Sequence, residues 1–187
     1  MEITTKIIAQ GFGILGMICN ILVFQQKTQK RVLIWQFFAA SVFAVNYLML
    51  GYPVGGLLNI IGALRAVVFF FKERTKADHI LWLVFFICAF AATYPLSFLC
   101  FGTEITRLKL ITEVLPVIAM IIATISLRLG SAKAVRFLGL SSSPMWLTYN
   151  LFTGSFGAVA SEILNLISIV VGIIRLDIKK SKENEEK

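Results

Sequence analysis

Seven long apolar stretches limit what this 187-residue chain can fold into more than any other feature. They cover residues 7–24, 32–50, 54–71, 79–97, 110–127, 137–153 and 156–174. A helix rises 1.5 Å per residue, so about 20 such residues cross the roughly 30 Å of bilayer hydrocarbon. Lipid cannot hydrogen-bond a backbone amide, so each stretch should cross as a helix. The sequence therefore predicts an all-α polytopic membrane protein with seven transmembrane helices.

The basic residues lie almost entirely in alternate gaps between these stretches. Of the 18 Lys and Arg residues, 14 lie in the first, third and fifth gaps and after the last stretch. Lys6, Arg107 and Lys109 lie on the other side, and Arg65 lies inside a stretch. Because cytoplasmic loops retain basic residues, the N-terminus should be outside and the C-terminus in the cytoplasm.

Composition and motifs argue against most other classes of protein. A hydrophobic fraction of 58% and a mean hydropathy of +0.84 exceed what a globular domain of this length could bury. The basic loops face anionic lipid, so the bilayer is the expected partner and nucleic acid is not. Residues 11–16 read Gly-Phe-Gly-Ile-Leu-Gly, like a dinucleotide fingerprint, but they lie inside a span, where close helix packing explains the glycines. No catalytic set, metal or cofactor is predicted, and we expect no enzyme.

A three-span unit occurs twice, at an offset of 103 residues. Each unit has a span, a basic gap, a second span, a tight turn and a third span. The offset places Gly51 on Gly154 and Asn59 on Glu162. It also sets the pair Asn46-Tyr47 against Tyr149-Asn150, one turn before each hairpin. Because one linking span separates the copies, both units should run in the same direction through the membrane.

The repeat predicts four segments. Residues 1–78 form the first triple-helix unit, 79–109 the linking helix and loop, and 110–176 the second unit. Residues 177–187 are charged and poor in apolar side chains, which predicts a disordered cytoplasmic tail. A duplicated chain can enclose a cavity alone, so a homo-oligomer is compatible with the sequence but not required.

This layout resembles that of the SWEET and semiSWEET sugar transporters, the PQ-loop proteins and the PnuC vitamin transporters. The resemblance implies a 3+1+3 arrangement of seven helices. A closer resemblance, to the YgjV family of bacterial inner membrane proteins, is carried by residues 112–118 (Thr-Glu-Val-Leu-Pro-Val-Ile), residues 149–157 (Tyr-Asn-Leu-Phe-Thr-Gly-Ser-Phe-Gly) and Glu162. Residues 51–53 (Gly-Tyr-Pro), Asn59 and Arg65 resemble the first-unit counterpart. This resemblance implies a location in the bacterial inner membrane.

Polar side chains inside the spans are the candidate site, because an ionised group at the bilayer centre costs at least about 2.5 kcal/mol. Counted from the outer ends of their spans, Asn59 is about 8 Å deep, Glu162 about 9 Å and Arg65 about 16 Å. If the units face each other, Asn59 and Glu162 should line one cavity. The preceding spans would add Asn46, Tyr149 and Asn150 to it. Two structural alternatives stay open: Arg65 and Glu162 could form a buried ion pair or a hydrogen-bonded cluster that only holds helices together, and Asn59 could only bond a neighbouring helix.

The leading hypothesis is a membrane transporter that moves a small polar solute by alternating access between the two units. Asn59 and Glu162 would contact the solute, Asn46, Tyr149 and Asn150 would support them, and Arg65 would be a counter-ion. The alternative is a non-transporting receptor or assembly protein on the same scaffold, since one fold hosts many functions.

Overall fold

The computed structural model of the chain describes residues 3–101, 106–153 and 156–178, and all regular structure in these ranges is helical. The helices are α1 (Ile3–Phe24), α2 (Gln29–Met49), α3 (Pro53–Phe70), the short α4 (Lys72–Thr75), α5 (Ile80–Phe101), α6 (Arg107–Arg128), α7 (Ala132–Thr153) and α8 (Phe156–Ile173). A π-helical turn, Ile174–Ile178, follows α8. The expected tail thus starts with two helical residues, and 179–187 lie outside the described residues.

Among the residues that the structure describes, six helices are long and apolar enough to cross a membrane, against the seven that the sequence predicts. They are α1, α2, α3, α5, α6 and α8 with the π-helical turn. The helix that falls short is α7, which covers the predicted sixth span and has 22 residues. Its polarity is the reason: it carries Lys133 and Arg136, three consecutive serines and an internal proline.

The turn between α2 and α3 is as tight as the sequence predicts. Gly51 adopts φ +80°, a left-handed conformation that suits glycine. The amide of Tyr52 donates to the carbonyl of Tyr47 at 2.9 Å, and the amide of Gly51 donates to that of Leu48 at 3.2 Å. This pair of bonds is a Schellman motif, which ends α2 and lets α3 begin at Pro53. The matching turn expected at 154–155 lies outside the described residues.

Six of the long helices form a closed ring. Each middle helix packs against its two chain neighbours, α2 against α1 and α3, and α7 against α6 and α8. The ring closes through contacts of α3 with α6 and of α8 with α1. The remaining long helix, α5, packs outside the ring against α3 and α6. A cavity enclosed by the ring would therefore lie between α1–α3 and α6–α8.

Small residues allow this close packing, while large apolar side chains face outward. A Cβ atom on Gly16 of α1 would lie 2.9 Å from the Phe43 ring of α2, which agrees with a packing role for the glycines in 11–16. Leu99, Ile3 and Leu81 are 82%, 78% and 67% exposed. Exposed apolar side chains of this size are expected where a helix faces lipid.

Candidate functional site

A cavity of about 130 Å³ lies inside the ring, and all six ring helices line it. One water molecule needs about 10–15 Å³ on this scale, so the cavity has room for on the order of ten waters. A solute with about as many non-hydrogen atoms would fill it. Its polar lining includes three of the predicted site residues, Asn59, Arg65 and Glu162.

The cavity wall repeats along the sequence. Six pairs of lining residues are 103 positions apart: Asn20 and Ala123, Gln36 and Gly139, Ala40 and Ser143, Phe43 and Trp146, Asn59 and Glu162, and Gly62 and Asn165. The same offset that relates the predicted three-span units thus relates opposite walls of the cavity. The two members of a pair differ chemically: in most pairs one side chain is small or neutral and the other is more polar or larger.

Arg65 is the buried cation of the cavity. Its side chain on α3 is 4% exposed. Nη1 donates to the backbone oxygen of Met120 at 3.0 Å and to Oγ1 of Thr124 at 2.7 Å, both on α6. The guanidinium carbon also lies 5.4 Å from the centroid of the Phe90 ring on α5. Arg65 therefore ties α3 to α6 and α5, while its Nε has no hydrogen-bond partner.

Glu162 is the buried carboxyl group of the cavity, on α8, and is 8% exposed. Its carboxyl group interacts with the side chains of Asn165 and Ser143. Within the described ranges the one ion pair joins Arg136 to Asp177, so Arg65 and Glu162 do not form the direct buried pair that the sequence left open. Both charges line the same cavity without an oppositely charged partner among the residues described.

Other polar atoms of the lining are also left without hydrogen bonds. Oε1 of Gln36 and Oδ1 of Asn165 are buried and unpartnered, as is Nε of Arg65. Asn59 is half-buried, and its Nδ2 donates to Gly55 of its own helix at 2.8 Å rather than to a neighbouring helix. Buried polar atoms without partners are uncommon in proteins, so a cavity that collects three of them fits water or a polar solute.

The other three predicted residues lie outside the cavity wall. Asn46 is buried against α1, where its Nδ2 donates to the backbone oxygen of Ala9 at 2.6 Å. Oδ1 of Asn150 accepts a hydrogen bond from the hydroxyl of Tyr47 at 3.1 Å, and these two positions are 103 residues apart. Tyr149 lines a second pocket at the end of the ring where the α2–α3 turn lies. The structure therefore brings Asn59, Arg65 and Glu162 together and separates them from Asn46, Tyr149 and Asn150.

The second pocket has a volume of about 340 Å³ and lies between the α2–α3 turn, the start of α6 and the end of α7. Lys109 and Glu113, one helical turn apart on α6, contribute its charges. Glu113 is 8% exposed, and its Oε2 has no hydrogen-bond partner. It is thus more deeply enclosed than its shallow sequence position would suggest.

The basic-loop end of the ring is closed by polar contacts that the sequence did not single out. Arg136 of α7 pairs with Asp177 at 2.7 Å and donates to the backbone oxygen of Gln26 at 2.9 Å. Nε2 of Gln25 donates to the backbone oxygen of Ser168 at 2.8 Å and to its Oγ at 2.9 Å. These contacts join the residues just after α1 to α7 and α8, and they join α7 to the π-helical turn.

Several cavity residues were also missed, and one signal could have found two of them. Asn165 is one turn after Glu162 on the same face of α8, and Trp146 is one turn before Tyr149 and Asn150 on α7. Searching for neighbours at helical spacing would have added both. Gln36 gives no comparable signal, because it lies among apolar residues whose face cannot be assigned without the fold.

Comparison with known proteins agrees with this membrane-embedded architecture. A model of the Imp-YgjV family, described as bacterial inner membrane protein, matches residues 7–180. The chain is 24% identical over 168 residues to inner membrane protein YgjV of Escherichia coli strain K12, which covers 90% of the chain and 84% of that relative. No solved structure matches the chain.

Proposed function

The chain belongs to the Imp-YgjV family of bacterial inner membrane proteins, and within that membrane we propose that it acts as a carrier for a small polar solute. One observation carries the proposal: a cavity with a buried guanidinium and a buried carboxyl group that lies between two three-helix halves of the chain. Polar cavities at membrane depth are where carriers bind their solutes.

The proposed architecture is two parallel triple-helix units, α1–α3 and α6–α8, joined by α5. Contacts of the last helix of each unit with the first helix of the other, α3 with α6 and α8 with α1, support this arrangement. The six lining pairs at an offset of 103 support it as well. On this proposal α7 is a seventh span, whose buried polar side chains, Arg136, Ser143 and Asn150, face the cavity and the neighbouring helices.

Alternating access would follow from rocking one unit against the other. The two interfaces between units, α3 with α6 and α8 with α1, would change, while the packing within each unit would stay. The contacts of Gln25 and Arg136 at the basic-loop end would open on one side of the cycle. Access from the other side would pass the stacked rings of Tyr47 and Trp146, whose centroids are 6.3 Å apart.

Uptake by proteoliposomes tests the proposal. Vesicles containing the purified protein are incubated with a ¹³C-labelled metabolite extract, and the trapped solutes are identified by mass spectrometry. A carrier should enrich at least one solute over protein-free vesicles. Ala40→Phe, which fills the cavity, should abolish uptake, whereas Leu64→Phe at a 60% exposed position should not. Saturable binding without flux would favour a receptor. Equal uptake by both variants would show that the solute does not pass through the cavity.

The proposed orientation places the basic loops in the cytoplasm. After replacement of the exposed Cys88 and Cys100 by serine, Lys30→Cys and Arg107→Cys place single reactive thiols at the two ends of the ring. In intact spheroplasts a membrane-impermeant maleimide should label the cysteine at position 107 and spare the one at position 30. The reverse labelling would invert the topology.

A further inference from the structure

We propose that the solute of the central cavity is a small zwitterion, with an ammonium group that pairs with Glu162 and an anionic group that pairs with Arg65. This inference rests on the proposed function, because it names the class of solute for that cavity. It follows from the charges, their positions and the unpartnered atoms beside them.

The two charges of the cavity are both buried and both unpaired within the part of the chain that the structure describes. Arg65 is 4% exposed and Glu162 is 8% exposed. A buried charge is stabilised by hydrogen bonds and by an opposite charge. Arg65 and Glu162 each have polar partners, but neither has an opposite charge beside it among the residues described. A solute with one charge would compensate one of the two side chains and leave the other unpaired. A solute with both charges would compensate the pair.

The placement of the charges suits a short zwitterion. Arg65 lies on α3 and Glu162 on α8, which occupy opposite positions in the ring. Along the helix axes, counted from Pro53 and Phe156, the two residues differ in depth by about 9 Å. The two residues also face each other across the ring, so a solute that bridges them must span both the difference in depth and part of the ring width. The cavity volume of about 130 Å³ admits a solute of about ten non-hydrogen atoms, which is the size of an amino acid.

The unpartnered atoms match the same polarity. Next to Glu162, Oδ1 of Asn165 is a buried acceptor without a donor, which an ammonium N–H can supply. On the Arg65 side, Nε is a buried donor without an acceptor, which a carboxylate or phosphate oxygen can supply. A neutral sugar would offer hydroxyls to both atoms but would leave both charges unpaired.

Ligand analogues test this on the unmodified protein. Thermal stabilisation of the purified protein is measured with the common amino acids and 4-aminobutyrate, each up to millimolar concentration. The best zwitterion is then compared with its deaminated and decarboxylated analogues, and with glucose. The zwitterion should bind at least tenfold more tightly than either analogue. Equal binding of one analogue, tighter binding of glucose or no stabilisation by any zwitterion would overturn the proposal.

Two variants assign the charges to their partners. Glu162→Gln should weaken binding of the zwitterion and of the amine at least tenfold, with no change for the carboxylate analogue. Arg65→Met should weaken binding of the zwitterion and of the carboxylate analogue at least tenfold, with no change for the amine. Ser143→Ala, beside Glu162, should give a smaller loss of the same kind as Glu162→Gln and serves if that variant does not fold. Equal weakening of all three ligands by both charge variants would overturn the assignment.

Flux separates this inference from the carrier proposal. Uptake of only neutral or singly charged solutes by proteoliposomes would support the carrier proposal and refute the zwitterion proposal. Tight binding of a zwitterion without uptake would support recognition of a zwitterion and refute the carrier proposal.

Discussion

Arg65→Met should cost the protein little stability and all of its transport. Arg65 makes two hydrogen bonds to α6 and a contact with the Phe90 ring. Hydrogen bonds between membrane helices average about 0.6 kcal/mol, and those to charged groups are about twice as strong. With about 2 kcal/mol for a desolvated cation–π contact, the substitution removes about 4 kcal/mol of favourable interactions.

The opposing contribution is the burial of the charge itself. An arginine at the centre of a membrane helix costs about 2.5–3.5 kcal/mol, and methionine relieves that cost. The net loss in free energy of unfolding should therefore be about 1–2 kcal/mol. A side chain kept only to hold helices together would be expected to contribute more than that.

The measurement is unfolding in mixed micelles by SDS, followed by tryptophan fluorescence, since Trp82 stacks on Phe86 in the helix that carries Phe90. Leu64→Met, at the preceding and lipid-facing position, is the matched control and should change stability by less than about 0.5 kcal/mol. Uptake by proteoliposomes of the Arg65→Met variant should fall to background. A stability loss above about 4 kcal/mol, or unchanged uptake, would refute the reasoning.

Two further substitutions test the packing of the ring. Gly16→Ala places a Cβ atom 2.9 Å from the Phe43 ring and should destabilise the protein by about 1–3 kcal/mol. Gly11→Ala, with no atom within 4 Å of its Cβ, should be neutral or slightly stabilising. Equal SDS unfolding of the two variants would contradict this. Arg136→Gln leaves the buried Asp177 carboxylate unpaired and should lower the free energy of unfolding by about 3–5 kcal/mol. Adding Asp177→Asn in the same chain should restore most of that loss. Additive losses in the double-mutant cycle would show that the two side chains are not coupled.

Depth in the membrane could be predicted from the sequence, but rotation about each helix axis could not. A rise of 1.5 Å per residue places Asn59 and Glu162 at nearly equal depth, and the structure has both at one cavity. Each residue also turns the helix by about 100°, so adjacent residues face different neighbours. Asn46 therefore faces α1 while Tyr47 lines the cavity. Only the packing of the ring decides which of the two points inward.

The sequence predicted most accurately the helices whose side chains mainly face lipid. Long apolar runs gave α1, α3 and α5 within a few residues. The sequence was least informative about α7, because a helix that lies between other helices and a polar cavity needs no apolar surface all round. The ion pair of Arg136 with Asp177 was missed for a related reason, since it joins α7 to a residue assigned to the tail.

The hydrogen bond between Tyr47 and Asn150 also bears on how such a chain could have arisen. In the proposed arrangement, two positions related by the repeat can touch only where they approach the pseudo-twofold axis. A symmetric dimer of identical units would place two tyrosines or two asparagines face to face there. Here the tyrosine donates and the asparagine accepts, so the two positions are complementary rather than identical. In that arrangement, a chain built from two copies of the first half would place a second tyrosine opposite Tyr47 and would lose the bond to the asparagine side chain.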